Sequence, residues 1–123
     1  MVDQINKITA NYIVEVKKED KGNNTFVNLI NQGDSLPKLI VHFIEGRIYS
    51  IEFAGSQFFE LPDDQLYYVM EALLSGDYVI KKTWFKREKF IMVPFGSKKL
   101  LPERTNPFDF NSYHLPQSFS KKS

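Results

Sequence analysis

The chain has 123 residues, of which 42% are hydrophobic and 15% aromatic, with 16 basic side chains, 15 acidic ones and no cysteine. That is the size of one average domain with a single core, and nothing in the composition points to wholesale disorder, collagen-like repeats or a membrane protein. The missing cysteines exclude a disulfide framework and thiol catalysis, and they fit a reducing cytoplasm.

The opening "MVDQINKITANYIVEV" has polar and acidic residues where a secretory leader needs a basic start and an unbroken apolar run. No stretch approaches the roughly 20 apolar residues that span a bilayer. The sequence therefore predicts a soluble, cytoplasmic protein. In "NYIVEVKKED", Tyr12, Val14 and Val16 share one side of a period-2 pattern. "TFVNLIN" follows the turn cluster "KGNN", which predicts a β-hairpin. "KLIVHFIEGRIYSIEF" repeats the arrangement around Glu45-Gly46, with Leu39, Val41 and Phe43 set to face Tyr49, Ile51 and Phe53, and Gly46 supplying the positive φ of a tight turn. Between the two hairpins, "NQGDSLP" carries Gly33 and Pro37 as punctuation.

The period then changes. In "ELPDDQLYYVMEALLSGD" the residues Leu66, Val69, Met70, Leu73 and Leu74 recur at helical spacing. Pro62 suits the first turn, Asp63 and Asp64 its positive dipole end, and Gly76 a left-handed stop, which predicts a helix over about residues 62–75. "YVIKKTWFK" and "KFIMVPF" read as a third hairpin over a loop at Arg87-Glu88. From Lys98 onward no period is visible, yet Phe108, Phe110, Tyr113 and Leu115 are present. Disordered tails are poor in aromatics, so this one is expected to pack, either on its own domain or across a second copy as a homodimer contact.

These elements predict a mainly β (α+β) chain: a strongly bent antiparallel sheet or small open barrel of about six strands with one main helix. The expected organisation is a single β-rich domain over residues 1–97 and an extended tail over 98–123.

The charges are unevenly spread. Residues 1–80 hold 6 basic and 12 acidic side chains, whereas residues 81–104 hold 8 and 2. Asymmetry of this kind points to an anionic partner for one face. By strict alternation Lys81, Thr83 and Phe85 share one side of the third hairpin, and Ile80, Lys82, Trp84 and Lys86 the other. Both sides mix base and aromatic, whereas a purely structural hairpin segregates apolar from charged residues. Trp84, the only tryptophan, flanked by lysines can act as a stacking platform with cations set to meet phosphates, the usual way of holding single-stranded nucleic acid. The candidate contacts with RNA or single-stranded DNA are Lys81, Lys82, Trp84, Lys86, Arg87, Lys89, Lys98 and Lys99. The competing reading is a solvated face whose lysine stems cover apolar surface.

The sequence offers no positive case for an enzyme. His42 stands inside a strand with no second ligand at useful spacing, and His114 lies in the tail; a structural role suits both. No Walker, dinucleotide or nucleophile-elbow sequence occurs. Asp63-Asp64 at a helix start and Glu19-Asp20 in a turn are explained by dipole and solvation. No cofactor, metal or enzymatic activity is expected, and an enzyme using Asp63 or Glu60 in a pocket is the weakest alternative. The stronger rival is a protein-binding inhibitor or immunity-type module of a mobile element, working through the acidic residues of 1–80.

The segment "FELPDDQLYYVMEALLSG" ahead of "KKTWFKREKF", in a compact cysteine-free chain of hairpins, resembles the PrgU-like small regulatory proteins of Gram-positive, enterococcal conjugative plasmids. The resemblance implies a PUA-like barrel that binds messenger RNA and restrains production of a surface adhesin. It carries over no individual functional residue.

Overall fold

A computed structural model of the chain describes residues 2–31, 39–82, 89–105 and 119. Helix α1 (Val2–Thr9) comes first. Its Ile5 is fully buried, Ile8 packs against the core, and Thr9 Oγ1 donates to the Ile5 carbonyl at 2.8 Å. Strands β1 (Val14–Lys21) and β2 (Asn24–Asn31) form the first hairpin, in register from Val14 with Asn31 to Lys21 with Asn24.

Strands β3 (Leu39–Ile44) and β4 (Arg47–Phe53) form the second hairpin. Both residues of its turn are left-handed, Glu45 at φ 51° and Gly46 at φ 79°, the conformation whose twist matches that of the flanking strands. A second turn of the same kind, Ala54 at φ 51° and Gly55 at φ 78°, leads into β5 (Ser56–Phe58).

Helix α2 (Asp63–Ser75) buries Leu66, Val69, Met70, Ala72, Leu73 and Leu74. It stops at Gly76, whose φ is 88° and whose N–H donates to the Ala72 carbonyl at 3.0 Å. Strands β6 (Val79–Lys82), β7 (Lys89–Phe95), β8 (Lys98–Leu100) and β9 (Arg104–Thr105) complete the described chain.

The fold is mainly β and its ladders are antiparallel. One sheet has six strands in the order β1-β2-β3-β4-β5-β9, the other three in the order β6-β7-β8. The large sheet is open, with β1 and β9 at its edges, and α2 packs on β4 and β7. The sheet does not close, in keeping with the open antiparallel sheet expected from the sequence. Val27, Leu29, Leu39, Val41, Phe43, Ile51 and Phe53 from the large sheet, Ile91 and Val93 from the small one, and the α2 residues form one core.

The two sheets are tied by a side chain. β8 stops opposite Val93, and the N–H of Ile91, two residues along, donates to Ser56 Oγ at 3.0 Å in a buried setting. Glu103 holds β9 against β5: its N–H donates to the Gln57 carbonyl at 2.9 Å and its Oε2 accepts from the Phe59 N–H at 2.8 Å.

Helix α2 lies where its apolar period places it, and both early hairpins have the predicted turns. Four features differ from the sequence reading. Tyr49 does not face the core: a register shift between His42 and Phe43 pairs His42 with Ser50 and Phe43 with Ile48, so Tyr49 is the extra residue and lies exposed. A bulge flips the alternation beyond it, and Ile48 takes the place expected of Tyr49. Glu19 and Asp20 lie in β1 rather than in a turn. The described residues hold nine strands and two helices; β5, β8 and β9, at two or three residues each, are too short to show a period. Two of these, β8 and β9, lie from Lys98 onward, where the sequence shows no period, and Phe119 is buried in the core cluster.

Candidate nucleic-acid interface

Five of the eight predicted contact residues fall within the described chain, and the small sheet positions all of them. Lys81 and Lys82 end β6, Lys89 begins β7, and Lys98 and Lys99 begin β8; each is exposed. Trp84, Lys86 and Arg87 lie outside the described residues, as do Phe108, Phe110, Tyr113 and His114.

Register divides the five. Ile80 pairs with Ile91, Lys82 with Lys89, Val93 with Leu100 and Phe95 with Lys98. Ile91, Val93 and Leu100 are buried, so alternation puts Lys82, Lys89 and Lys98 on the core-facing side, beyond the ends of the core. Lys81 pairs with Phe90 and Lys99 with Pro94, and these four residues lie on the opposite side. Lys81, Lys82 and Lys89 therefore gather at one end of the sheet. Lys98 and Lys99 stand roughly 13–20 Å away, at about 3.3 Å of rise per residue. Among the described residues Lys81, Lys82, Lys98 and Lys99 make no ion pair.

Lys82 and Lys89 are direct cross-strand partners. The pairing brings two cationic side chains to one end of the sheet, beside Lys81.

The acidic residues of the first 80 are arranged differently. In β1 the Glu15 carboxylate lies 3.8 Å from Lys17 Nζ, Asp20 3.8 Å from Lys18 and Glu19 4.0 Å from Lys21. Asp20 also accepts from the Thr25 hydroxyl at 2.8 Å. This strand offers alternating charge rather than an acidic patch, a pattern that guards an open edge against pairing. Asp63 and Glu60, the carboxylates considered for catalysis, are exposed, and Asp63 lies 3.8 Å from the Arg47 guanidinium.

An open hollow of about 330 Å³ lies between α2 and the N-terminal segment, lined by Tyr12, Tyr68, Glu71, Ala72, Ser75 and Asp77. Burial, reinforced by the Glu71 and Asp77 carboxylates, raises the pKa of the Tyr12 phenol. Ser75 Oγ donates to Asp77 Oδ2 at 3.1 Å. Its charge is negative, so it does not suit an anionic ligand. Among the described residues no three His, Asp or Glu side chains are grouped to hold a metal ion.

His42 is half-buried. Its Nε2 donates to Asn24 Oδ1 at 2.9 Å, and desolvation lowers its pKa. The sequence reading passed over its neighbours Phe26 and Phe59 and set Tyr49 on the core side; all three join it on the outer face of the large sheet. Phe26 could have been found as an outward position of its strand, but Tyr49 depends on the bulge.

No helix among the described residues is long and apolar enough to cross a membrane. The chain matches no protein-family model, no curated protein and no solved structure.

Proposed function

We propose that the protein is a small regulator that binds single-stranded nucleic acid, with RNA the favoured target, through the basic end of its three-stranded sheet. The observation that carries this reading is the cross-strand opposition of Lys82 and Lys89, with Lys81 exposed beside them. Three cationic side chains are thereby concentrated at one end of a small sheet, an arrangement that serves phosphate binding. The aromatic-basic sequence around Trp84 and the resemblance to PrgU-like proteins support RNA over duplex DNA. In this reading the protein acts in the cytoplasm as a regulator of expression and catalyses nothing. The tail residues Phe108, Phe110 and Tyr113 either pack on their own domain or join two copies, a choice that sedimentation decides.

The sole tryptophan gives a direct test. Titration of the protein with an unstructured oligouridylate should quench Trp84 emission. Lys82→Gln should weaken binding of all sequences alike, because a phosphate contact carries no base information. An emission spectrum unmoved by saturating oligonucleotide, at low salt where phosphate contacts are strongest, would rule the reading out.

A further inference from the structure

We infer that the outer face of the six-stranded sheet is a second element of the same binding site, a row of rings whose exposed member, Tyr49, stacks an unpaired base. The inference rests on the nucleic-acid reading above and concerns a surface on the other sheet. Phe26 of β2 and His42 of β3 are cross-strand partners with ring centroids 4.3 Å apart and planes 16° from parallel. Tyr49 meets His42 edge-on at 5.2 Å, and Phe59, just after β5, lies 6.4 Å from Tyr49 with planes 20° apart. The row thus crosses β2, β3 and β4 and ends just past β5.

A cation stands at each end. Lys21 Nζ is 5.8 Å from the Phe26 ring centroid and Arg104 Cζ is 5.7 Å from that of Phe59. Lys21 is shared with Glu19 at 4.0 Å, so Arg104 is the stronger of the two for a phosphate.

Cross-strand aromatic pairs also stabilise sheets by themselves, but two features go beyond that role. The bulge in the β3–β4 pairing seats Ile48 in the core in place of Tyr49 and turns the Tyr49 ring out among the other rings, 46% exposed. Both described helices place their apolar residues in the core on the opposite face, so neither covers the row. The exposed Tyr49 ring, set among half-buried rings with a cation at each end of the row, matches the chemistry of a single strand, a base on the ring and phosphates on the cations. A neutral sugar would have no use for the two cations, and a peptide strand would seek a sheet edge rather than a face.

The test uses the full chain and a fluorescein-labelled oligouridylate of about 12 nucleotides, within the usual site size of such surfaces. Tyr49→Ala should weaken binding roughly five- to hundredfold, and Tyr49→Leu, which keeps apolar bulk and removes the ring, should weaken it similarly. Melting temperatures of both should stay near the parent's, because Tyr49 is exposed. If Tyr49→Ala proves unstable, Tyr49→Leu decides. Parent-like binding by a folded Tyr49→Leu, alongside weakened binding by Lys82→Gln, would overturn the stacking row and leave the basic end standing. Weakening by Tyr49→Leu with none by Lys82→Gln would uphold the row and move the site off the small sheet. An oligonucleotide that the parent does not bind at low salt overturns both.

Discussion

At the scale of single residues, Ser56 and His42 show how much the molecule depends on a few polar side chains near its core. The Ile91 N–H is buried and its acceptor is Ser56 Oγ. Ser56→Ala leaves that N–H unpaired where water does not reach, which should cost about 1–3 kcal/mol. Urea denaturation measures it, and a loss under about 0.5 kcal/mol would mean the sheets are held together without this bond. His42 titrates against the fold. Desolvation lowers its pKa in the native state, while in the unfolded chain the imidazole takes up its proton near 6.5. The unfolded state therefore binds more protons in the window below that value, and stability drops as pH falls through it. Above about pH 6.5 the contribution is complete. His42→Gln lacks the titrating group, so its melting temperature should fall less than the parent's between about pH 7.5 and pH 5.5. Equal falls in the two proteins would place the pH response in other groups.

Among the elements, the two tight turns flanking β4 and the helix α2 carry the clearest predictions. Glu45 is exposed at φ 51°, where an L side chain is strained, and Gly46 follows at φ 79°. Asn-Gly is the preferred pair for such a turn, so Glu45→Asn should stabilise the protein by about 0.5–1 kcal/mol, read as a rise in melting temperature. No rise would mean that the turn does not limit stability. Leu73 is fully buried on α2, and Leu73→Ala should cost about 2–5 kcal/mol.

These elements also show what the sequence reveals and what it conceals. The helix over Asp63–Ser75 was legible because five apolar residues kept one period and Gly76 stopped it. The turns at Gly22 and Gly46 were legible because their chemistry is local. The bulge at Tyr49 was not, since nothing in "RIYSIEF" distinguishes an alternating strand from one that slips after Ile48. Helix α1 was missed because eight residues give barely two turns of pattern. Strands β8 and β9 were missed because pairing partners, rather than their own sequence, define them. For the candidate site, the excess of basic residues after residue 80 was legible as composition. Its division between two ends of the small sheet was not, because it follows from the register of β6, β7 and β8.

At the scale of the whole molecule, that division decides how binding should respond to salt and to ligand length. Lys81, Lys82 and Lys89 stand roughly 13–20 Å from Lys98 and Lys99 along the small sheet, by strand rise. At physiological ionic strength the screening length is about 8 Å, so the two groups act as separate sites, joined only by a ligand long enough to touch both. Even at the stacked rise of about 3.4 Å per nucleotide, an oligouridylate of about 12 nucleotides reaches both ends, whereas one of about 3 carries too few phosphates to meet all five lysines. Each neutralised phosphate contributes about −0.7 to the slope of log affinity against log salt. The five lysines alone should give the long ligand a slope of about −3.5, roughly a hundredfold loss between about 50 and 200 mM salt, and a contact at Arg104 steepens it; the short one, held by three, should show a slope near −2. Replacing Lys98 and Lys99 together by glutamine should then flatten the long ligand's slope by about 1.4 and leave the short ligand's unchanged. Anisotropy titrations at four or five salt concentrations measure all four slopes. Identical slopes for the two lengths, or a long-ligand slope that ignores the loss of Lys98 and Lys99, would confine the interface to the Lys82 end of the sheet.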